Sequence, residues 1–209
     1  MTKDHNEDSV YAFIANGDMT GIPLLENEER QHILPFFRPR NLEELKAFLV
    51  LCFWDEINWN PEAKLAFANK RPLKNIPIVN DVLNRTYGQL MYRTQVEEIV
   101  QIVMGCTSTE ARYFVKKKLN VHGCTESDKQ CFIEKFLQNN IVSLRDAQEC
   151  FELLERRAAT AVIEEYYEHL AILAYRGAWW KLHFPDGFAE AKFAIGLGEE
   201  IVRWREEIR

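Results

Sequence analysis

The chain has 209 residues, of which 47% are hydrophobic and 12% aromatic, so it is not a disordered polypeptide and can bury a sizeable core. Its 26 basic and 32 acidic residues give a net charge of −6, which argues against a general nucleic-acid binder with a basic surface. No run approaches the roughly 20 apolar residues that span a bilayer, and the first residues lack a signal-peptide pattern.

Short helices separated by proline and glycine are predicted for the first part of the chain. Apolar residues at helical spacing place them at 10–15, 23–34, 61–70 and 77–87. Pro23 opens the second of these helices and Pro35 ends it. Strand signals are nearly absent, so we expect at least 60% helix and less than 5% strand.

Two further helices are marked by capping boxes, in which the N-cap side chain and a side chain three residues later bond each other's backbone amides. Asn41 and Glu44 have this spacing, and so do Thr94 and Glu97. Basic residues outnumber acidic ones over 61–95, which we interpret as scattered, solvated charge.

The middle of the chain, 103–156, repeats with a period of 18 residues. Residues 103–120 align without gaps on 121–138, and a third unit keeps the same phase. Each helix is predicted to start from a Thr or Ser cap with an acid three residues later, and a glycine can end the preceding helix in the first two units. The caps are Thr107, Thr125 and Ser143, the acids Glu110, Asp128 and Asp146, and the glycines Gly105 and Gly123. Three successive helices should therefore begin within two residues of the caps.

Two long helices are predicted for the C-terminal part, one from 144 to about 175 with a bend near Ala158 and one over about 188–207. Residues 177–187 form an aromatic-rich break between them. The sequence as a whole predicts an all-α fold, a multi-helix bundle or short helical-repeat array of about eight or nine helices. We interpret it as a single domain with three parts: short helices and a connector, short capped helices, and two long helices, over 1–40, 41–142 and 143–209.

The aromatic break holds the candidate binding residues. Trp179 and Trp180 are adjacent, so on a regular element they cannot both point into one core. Aromatic residues of this kind anchor many protein interfaces. Trp179, Trp180 and Phe184 are therefore predicted to bind a protein partner or a second copy of the chain; the alternative is a structural lock between the last two helices.

Arg176 and His183 are the first and last residues of 176–183, which overlaps the aromatic break. An Arg followed by His at this spacing, at a helix end in an all-α chain, resembles the motif of HEPN-type helical ribonucleases. The resemblance implies a metal-independent ribonuclease in which Arg176 holds the scissile phosphate and His183 takes the 2′-hydroxyl proton. The sequence departs from that pattern at Gly177, where such enzymes usually carry a polar residue.

Metal ions and cofactors are not expected. The repeat brings Cys106, His122 and Cys124 into corresponding positions, but zinc needs about four ligands and the only close pair is His122 and Cys124. Glu29 and His32 have the spacing of one half of a di-iron site, and the second half is missing. We therefore predict no metal site and no cofactor.

The functional interpretation follows from the absence of known enzyme motifs in the sequence. The sequence has no Walker loop, dinucleotide-binding glycine set, nucleophile elbow or zincin motif. We interpret the chain as a non-enzymatic helical interaction module, such as an adaptor, inhibitor or immunity-type protein, for which nucleic acid is not an expected partner. Five cysteines, an odd number, favour the reducing cytoplasm. The alternatives are the ribonuclease and a small-molecule pocket between helices.

Overall fold

The computed structural model describes residues 7–16, 18–55, 61–71, 77–121, 123–139 and 142–188. Across these ranges 77% of the residues are helical and no β-strand occurs, although an isolated parallel bridge joins Tyr92 and Val162. The prediction of an all-α, multi-helix fold is confirmed. Within the described ranges, every helix is too short or too polar to cross a membrane.

Ten α-helices are described, numbered here in chain order. They are α1 (Glu7–Asn16), α2 (Glu28–Phe37), α3 (Leu42–Asp55), α4 (Pro61–Ala68), α5 (Asn80–Leu83), α6 (Arg93–Met104), α7 (Ser108–Phe114), α8 (Glu126–Asn139), α9 (Leu144–Ala158) and α10 (Glu164–His183). Short 3₁₀ turns flank α5 and follow α10, at Pro77–Val79, Asn84–Thr86 and Pro185–Gly187. A π-helical segment, Val115–Val121, directly continues α7. The last predicted helix falls almost entirely outside the described residues.

The chain divides into two compact units. Unit 1 combines Met1–Asn69 with Glu165–Arg209, and unit 2 is Lys70–Glu164. In unit 1, Phe37 packs against Phe48 and Phe67 with ring centroids 5.1 Å apart in both pairs. The core of unit 2 is a continuous apolar cluster to which α5 to α9 all contribute. The interpretation of 1–209 as a single domain stays a prediction.

The start of α2 differs from the prediction because a stronger cap lies further along the chain. Oδ1 of Asn27 accepts hydrogen bonds from the backbone amides of Glu29 and Arg30, at 2.9 and 3.3 Å. The helix therefore begins at Glu28 and not at Pro23. Pro35, predicted to end the helix, lies inside its C-terminal part, and Arg38 ends it in a left-handed conformation.

The start of α6 also differs, because a buried glutamine replaces the predicted Thr94–Glu97 box. Oε1 of Gln95 accepts from the amides of Met91 and Tyr92 at 2.9 and 3.0 Å. Its Nε2 donates to Oγ1 of Thr86 at 2.8 Å, which ties the preceding turn to the helix. Thr94 instead donates its hydroxyl to the Glu164 carboxylate.

The 18-residue repeat is confirmed as three successive capped helices. Helices α7, α8 and α9 each begin one residue after their predicted caps, Thr107, Thr125 and Ser143. In the second unit, Oγ1 of Thr125 accepts from the Asp128 amide at 3.2 Å, and Oδ2 of Asp128 accepts from the Thr125 amide at 3.1 Å. The same pair of bonds forms in the other two units. Both predicted glycines take a left-handed φ, of 60° at Gly105 and 70° at Gly123.

The C-terminal helices differ from the prediction in where they break. The expected bend near Ala158 is a full interruption, and 159–163 are not helical. By contrast, α10 continues to His183, so most of the predicted 177–187 break is helix. Gly177 and Ala178 are buried in α10, and this packing offsets the roughly 1 kcal/mol that a glycine costs within a helix.

Replacing Thr125 with Ala should lower the free energy of unfolding by about 1 kcal/mol, because the Asp128 amide loses its acceptor at the start of α8. Thr109→Ala is the matched control, since Thr109 is exposed within α7, and it should change stability by less than about 0.5 kcal/mol. Urea denaturation measures both variants. Equal effects of the two substitutions would show that Thr125 does not cap α8.

Candidate functional site

A basic surface lies on the outer side of α7 and the π-helical segment. Ala111, Val115 and Leu119 are buried and recur at a spacing of four residues, so they form the inward stripe of this continuous element. Of the residues between them, Phe114 packs against the core and Lys118 pairs with Asp128, and the others lie on the outer side. We call the outward set the basic face: Arg112, Tyr113, Lys116 and Lys117.

The basic face keeps positive charge at its surface. Arg112 is partly neutralised, because its Nε donates to Oε2 of Glu97 at 3.3 Å. Lys116 is exposed and Lys117 is half-exposed, and neither forms an ion pair with any residue that the structure describes. Tyr113 stands beside them with 63% of its surface exposed. As far as the described part of the chain extends, the face thus presents two ammonium groups without an ion-pair partner, and an aromatic ring.

The π-helical segment is anchored to α8 by an ion pair. Nζ of Lys118 lies 3.0 Å from Oδ1 of Asp128, the acid that also completes the Thr125 capping box. Hydrogen bonds from Thr125, and then from Lys118, lower the pKa of the Asp128 carboxyl. The hydrogen bond to Asp128 in turn raises the pKa of Lys118. Both groups therefore stay charged at neutral pH, and their ion pair holds the middle of the segment that carries Lys116 and Lys117.

Charge is distributed unevenly along the chain. Residues 70–164 contain 14 Lys and Arg against 12 Asp and Glu, a net charge of +2. The remaining residues contain 12 against 20, a net charge of −8. The overall value of −6 therefore conceals a unit 2 that is slightly basic.

Two basic residues of 61–95, Arg85 and Lys70, form contacts within unit 2 or at its start. Arg85 lies 3.3 Å from Glu164 and 3.7 Å from Glu98. Lys70 lies over the ring of Tyr87, 5.6 Å from its centroid. These contacts occupy the charges of Arg85 and Lys70, and the interpretation of 61–95 as scattered charge stays a prediction.

The three predicted binding residues lie together at the C-terminal end of α10. The ring centroids of Trp179 and Trp180 are 5.4 Å apart, and those of Trp180 and Phe184 are 4.9 Å apart. Phe184 is 49% exposed, and both indoles are half-buried. The structure brings these residues together, and their role in binding stays a prediction.

Arg176 and His183 are on the same helix. They are seven positions, or about two turns, apart, which separates their Cα atoms by about 10 Å along the axis. Nδ1 of His183 donates to the carbonyl of Trp179 at 2.7 Å. The His183 ring also stacks on Trp179 at 4.5 Å. Arg176 is exposed.

Lys181, which the sequence analysis did not single out, clamps a distant loop within unit 1. Its Nζ donates to the carbonyls of Asp18 and Thr20 at 2.7 and 2.8 Å, and to Oδ2 of Asp18 at 2.8 Å. The bond from Lys181, followed by those from Thr20, lowers the pKa of the Asp18 carboxyl well below its usual range. The partners are 163 residues apart, so no local pattern could have revealed the clamp.

The basic face had a sequence signal that went unused. In the repeat, Lys116 corresponds to Glu134 and Lys118 to Phe136, so the first unit carries a lysine run that the second lacks. A departure from an internal repeat marks residues that the shared architecture does not require. Lys116 could have been identified as a candidate in this way, whereas Lys117 corresponds to Lys135 and is not marked by the repeat.

Comparison with known proteins relates the chain to DNA polymerases. Residues 2–140 match the bacterial DNA polymerase III alpha subunit finger domain. The chain is 25% identical over 196 residues to DNA polymerase III subunit alpha of Caulobacter vibrioides, covering 90% of this chain and 16% of that protein. It is 26% identical over 195 residues to the same subunit of Borreliella burgdorferi, and this match covers 89% of this chain and 16% of that protein. It is 24% identical over 197 residues to error-prone DNA polymerase 1 of Rhizobium meliloti, and this match covers 90% of this chain and 18% of that protein.

The described residues form an all-helical fold with a basic face, and residues 2–140 match a polymerase finger domain. This class of protein is the helical finger domain of a DNA polymerase subunit. The chain belongs to the family of the bacterial DNA polymerase III alpha subunit finger domain. It spans about one sixth of the length of the curated relatives.

These findings correct the functional interpretation. The non-enzymatic interaction module, with a protein partner or homo-oligomer in place of nucleic acid, is wrong, because the family and the relatives are polymerases. The ribonuclease that uses Arg176 and His183 is wrong for the same reason. The net charge was misleading because it averages over two unlike units. A chain that covers about one sixth of its relatives need not contain the catalytic motifs of the whole proteins.

Substituting Asp18 with Asn should lower the melting temperature at pH 7, because the bond from Lys181 loses its ionic component. The folded-state pKa of Asp18 is depressed, so its contribution is complete above the unfolded pKa of about 4 and is lost as pH falls through the folded value. The difference in melting temperature between Asp18→Asn and the wild type should therefore be constant from pH 7 to about 5 and shrink below about pH 4. Thermal melts at several pH values measure it.

Asp186→Asn is the control for this prediction, since Asp186 is an exposed carboxylate in the turn after α10. It should leave the melting temperature nearly unchanged at neutral pH. Lys181→Met should lower the melting temperature at pH 7 by roughly 4 °C, because three oxygen acceptors lose their donor. A melting temperature for Asp18→Asn equal to that of the wild type at pH 7 would contradict the clamp.

Proposed function

We propose that the chain forms the finger domain of a DNA polymerase and contacts DNA through the basic face. The observation that carries the proposal is the exposure of Lys116 and the half-exposure of Lys117, without an ion-pair partner among the described residues. DNA carries a dense array of phosphates, and lysines that neutralise them supply most of the sequence-independent binding free energy. The basic face therefore holds the DNA backbone without reading its sequence.

The surroundings of the face support this role. Two acids of the neighbouring helices are already engaged, Glu97 with Arg112 and Asp128 with Lys118. Their negative charge is offset locally, so it repels an approaching phosphate less than a free carboxylate would. The anchoring of Lys118 also fixes the backbone that carries Lys116 and Lys117, which reduces the conformational entropy that binding must overcome.

The proposal extends to the setting of the chain. The relatives are named as DNA polymerases, and we propose that this chain takes part in DNA synthesis as one domain of such an assembly. A cytoplasmic location accords with five cysteines that are all free thiols. Within this setting the basic face positions DNA by charge.

The double variant Lys116→Gln/Lys117→Gln should bind a labelled duplex oligonucleotide at least about tenfold more weakly at low salt. The slope of log affinity against log salt should fall by roughly two, because each lysine neutralises about one phosphate. Fluorescence anisotropy with the full chain, over a series of salt concentrations, measures both quantities.

The matched control is Arg145→Gln/Arg156→Gln, which removes the same charge from exposed positions of α9. Its affinity and salt slope should stay close to those of the wild type. A magnesium nucleoside triphosphate, added as competitor at constant ionic strength, distinguishes backbone phosphates from those of a free nucleotide. If both double variants lose affinity equally, binding depends on net charge alone and the basic face is not the site.

A further inference from the structure

The basic face contains an aromatic residue that the protein's own packing does not explain. Tyr113 is 63% exposed, although its neighbour Phe114 is turned toward the core of unit 2. Phe114 stacks on Phe132 with ring centroids 6.3 Å apart. Since Phe114 supplies the apolar contact at this point of α7, the ring of Tyr113 is left at the surface.

The position of Tyr113 relates it directly to the lysines. It precedes Lys116 by three residues and Lys117 by four, the spacings that place side chains on one face of a helix. The buried stripe at Ala111 and Val115 fixes which face this is. An exposed ring and two ammonium groups therefore share one surface of a single continuous element.

This combination has a specific chemical meaning. Proteins that hold single-stranded DNA pair cations along the backbone with aromatic rings on which bases stack. A duplex keeps its base faces inside the stack, so it can use the lysines but offers the ring nothing to stack on. A phosphate site for duplex DNA alone would not require an exposed aromatic side chain.

We propose that Tyr113 stacks on an unpaired base of single-stranded DNA whose phosphates are held by Lys116 and Lys117. This rests on the proposed function and deepens it, since it names the form of DNA that the basic face prefers. Tyr113 then discriminates single strand from duplex, whereas the lysines bind both.

The experiment compares the full-length wild-type chain with Tyr113→Leu and Tyr113→Phe. The probes are a labelled oligothymidylate and a labelled duplex of equal length. Tyr113→Leu should bind the single strand about tenfold or more weakly and the duplex within about twofold of the wild type. Tyr113→Phe keeps the ring and should retain single-strand binding. Phe36→Leu, at a position 73% exposed in unit 1, is the matched control and should change neither affinity.

A second readout reports stacking itself. An oligonucleotide with one 2-aminopurine should lose fluorescence on binding the wild type and Tyr113→Phe, and should lose much less with Tyr113→Leu. Circular dichroism and melting temperature establish that each variant is folded. Equal weakening of single-strand and duplex binding by Tyr113→Leu, or no weakening of either, overturns the inference.

The two proposals fail in distinguishable ways. If Lys116→Gln/Lys117→Gln weakens binding to both probes while Tyr113→Leu weakens neither, the lysine site stands and the stacking role is wrong. If the lysine variant retains affinity for both probes, the proposed function is wrong, and the role of Tyr113 fails with it.

Discussion

The reciprocal hydrogen bonds of the capping boxes are the constraint on which unit 2 depends. Each box fixes the residue at which its helix starts, at Thr107, Thr125 and Ser143. A fixed start sets the rotation of the helix, because side chains follow at about 100° per residue. The rotation of α7 turns Val115 inward and Lys116 outward. The Asp128 carboxylate that takes part in the capping box of α8 also pairs with Lys118. The same set of contacts therefore starts α8 and holds the segment that carries the lysines of the basic face.

Features set by residues close in sequence were predictable. The all-α fold and the three repeat helices follow from caps and periodicity within four or five residues, and the structure has them where expected. The start of α2 was missed although its cap, Asn27, is local, and two other misses involve distant or buried partners. Gln95 starts α6 because it also bonds Thr86, and Gly177 stays helical because it is buried. Neither contact leaves a local pattern in the sequence.

The candidate site was predictable only in part, since charge acts through its distribution in space. A total of −6 described the whole chain correctly and concealed a net +2 over 70–164. The lysine run at 116–118 was visible, but its availability depends on where Asp128 and Glu97 lie in the fold. The adjacent Trp179 and Trp180 were expected in a break between helices, and the structure places both, half-buried, at the end of α10.

Hydrogen–deuterium exchange on the full chain, with and without a primer–template DNA, tests the central claim that DNA contacts the outer side of α7 and the π-helical segment. The account predicts slower exchange on DNA binding in peptides that cover 108–121. Peptides that cover 144–158, which form the capped helix α9 without the basic face, should exchange at unchanged rates. Protection confined to 144–158, or an unchanged rate at 108–121 under saturating DNA, would contradict the account.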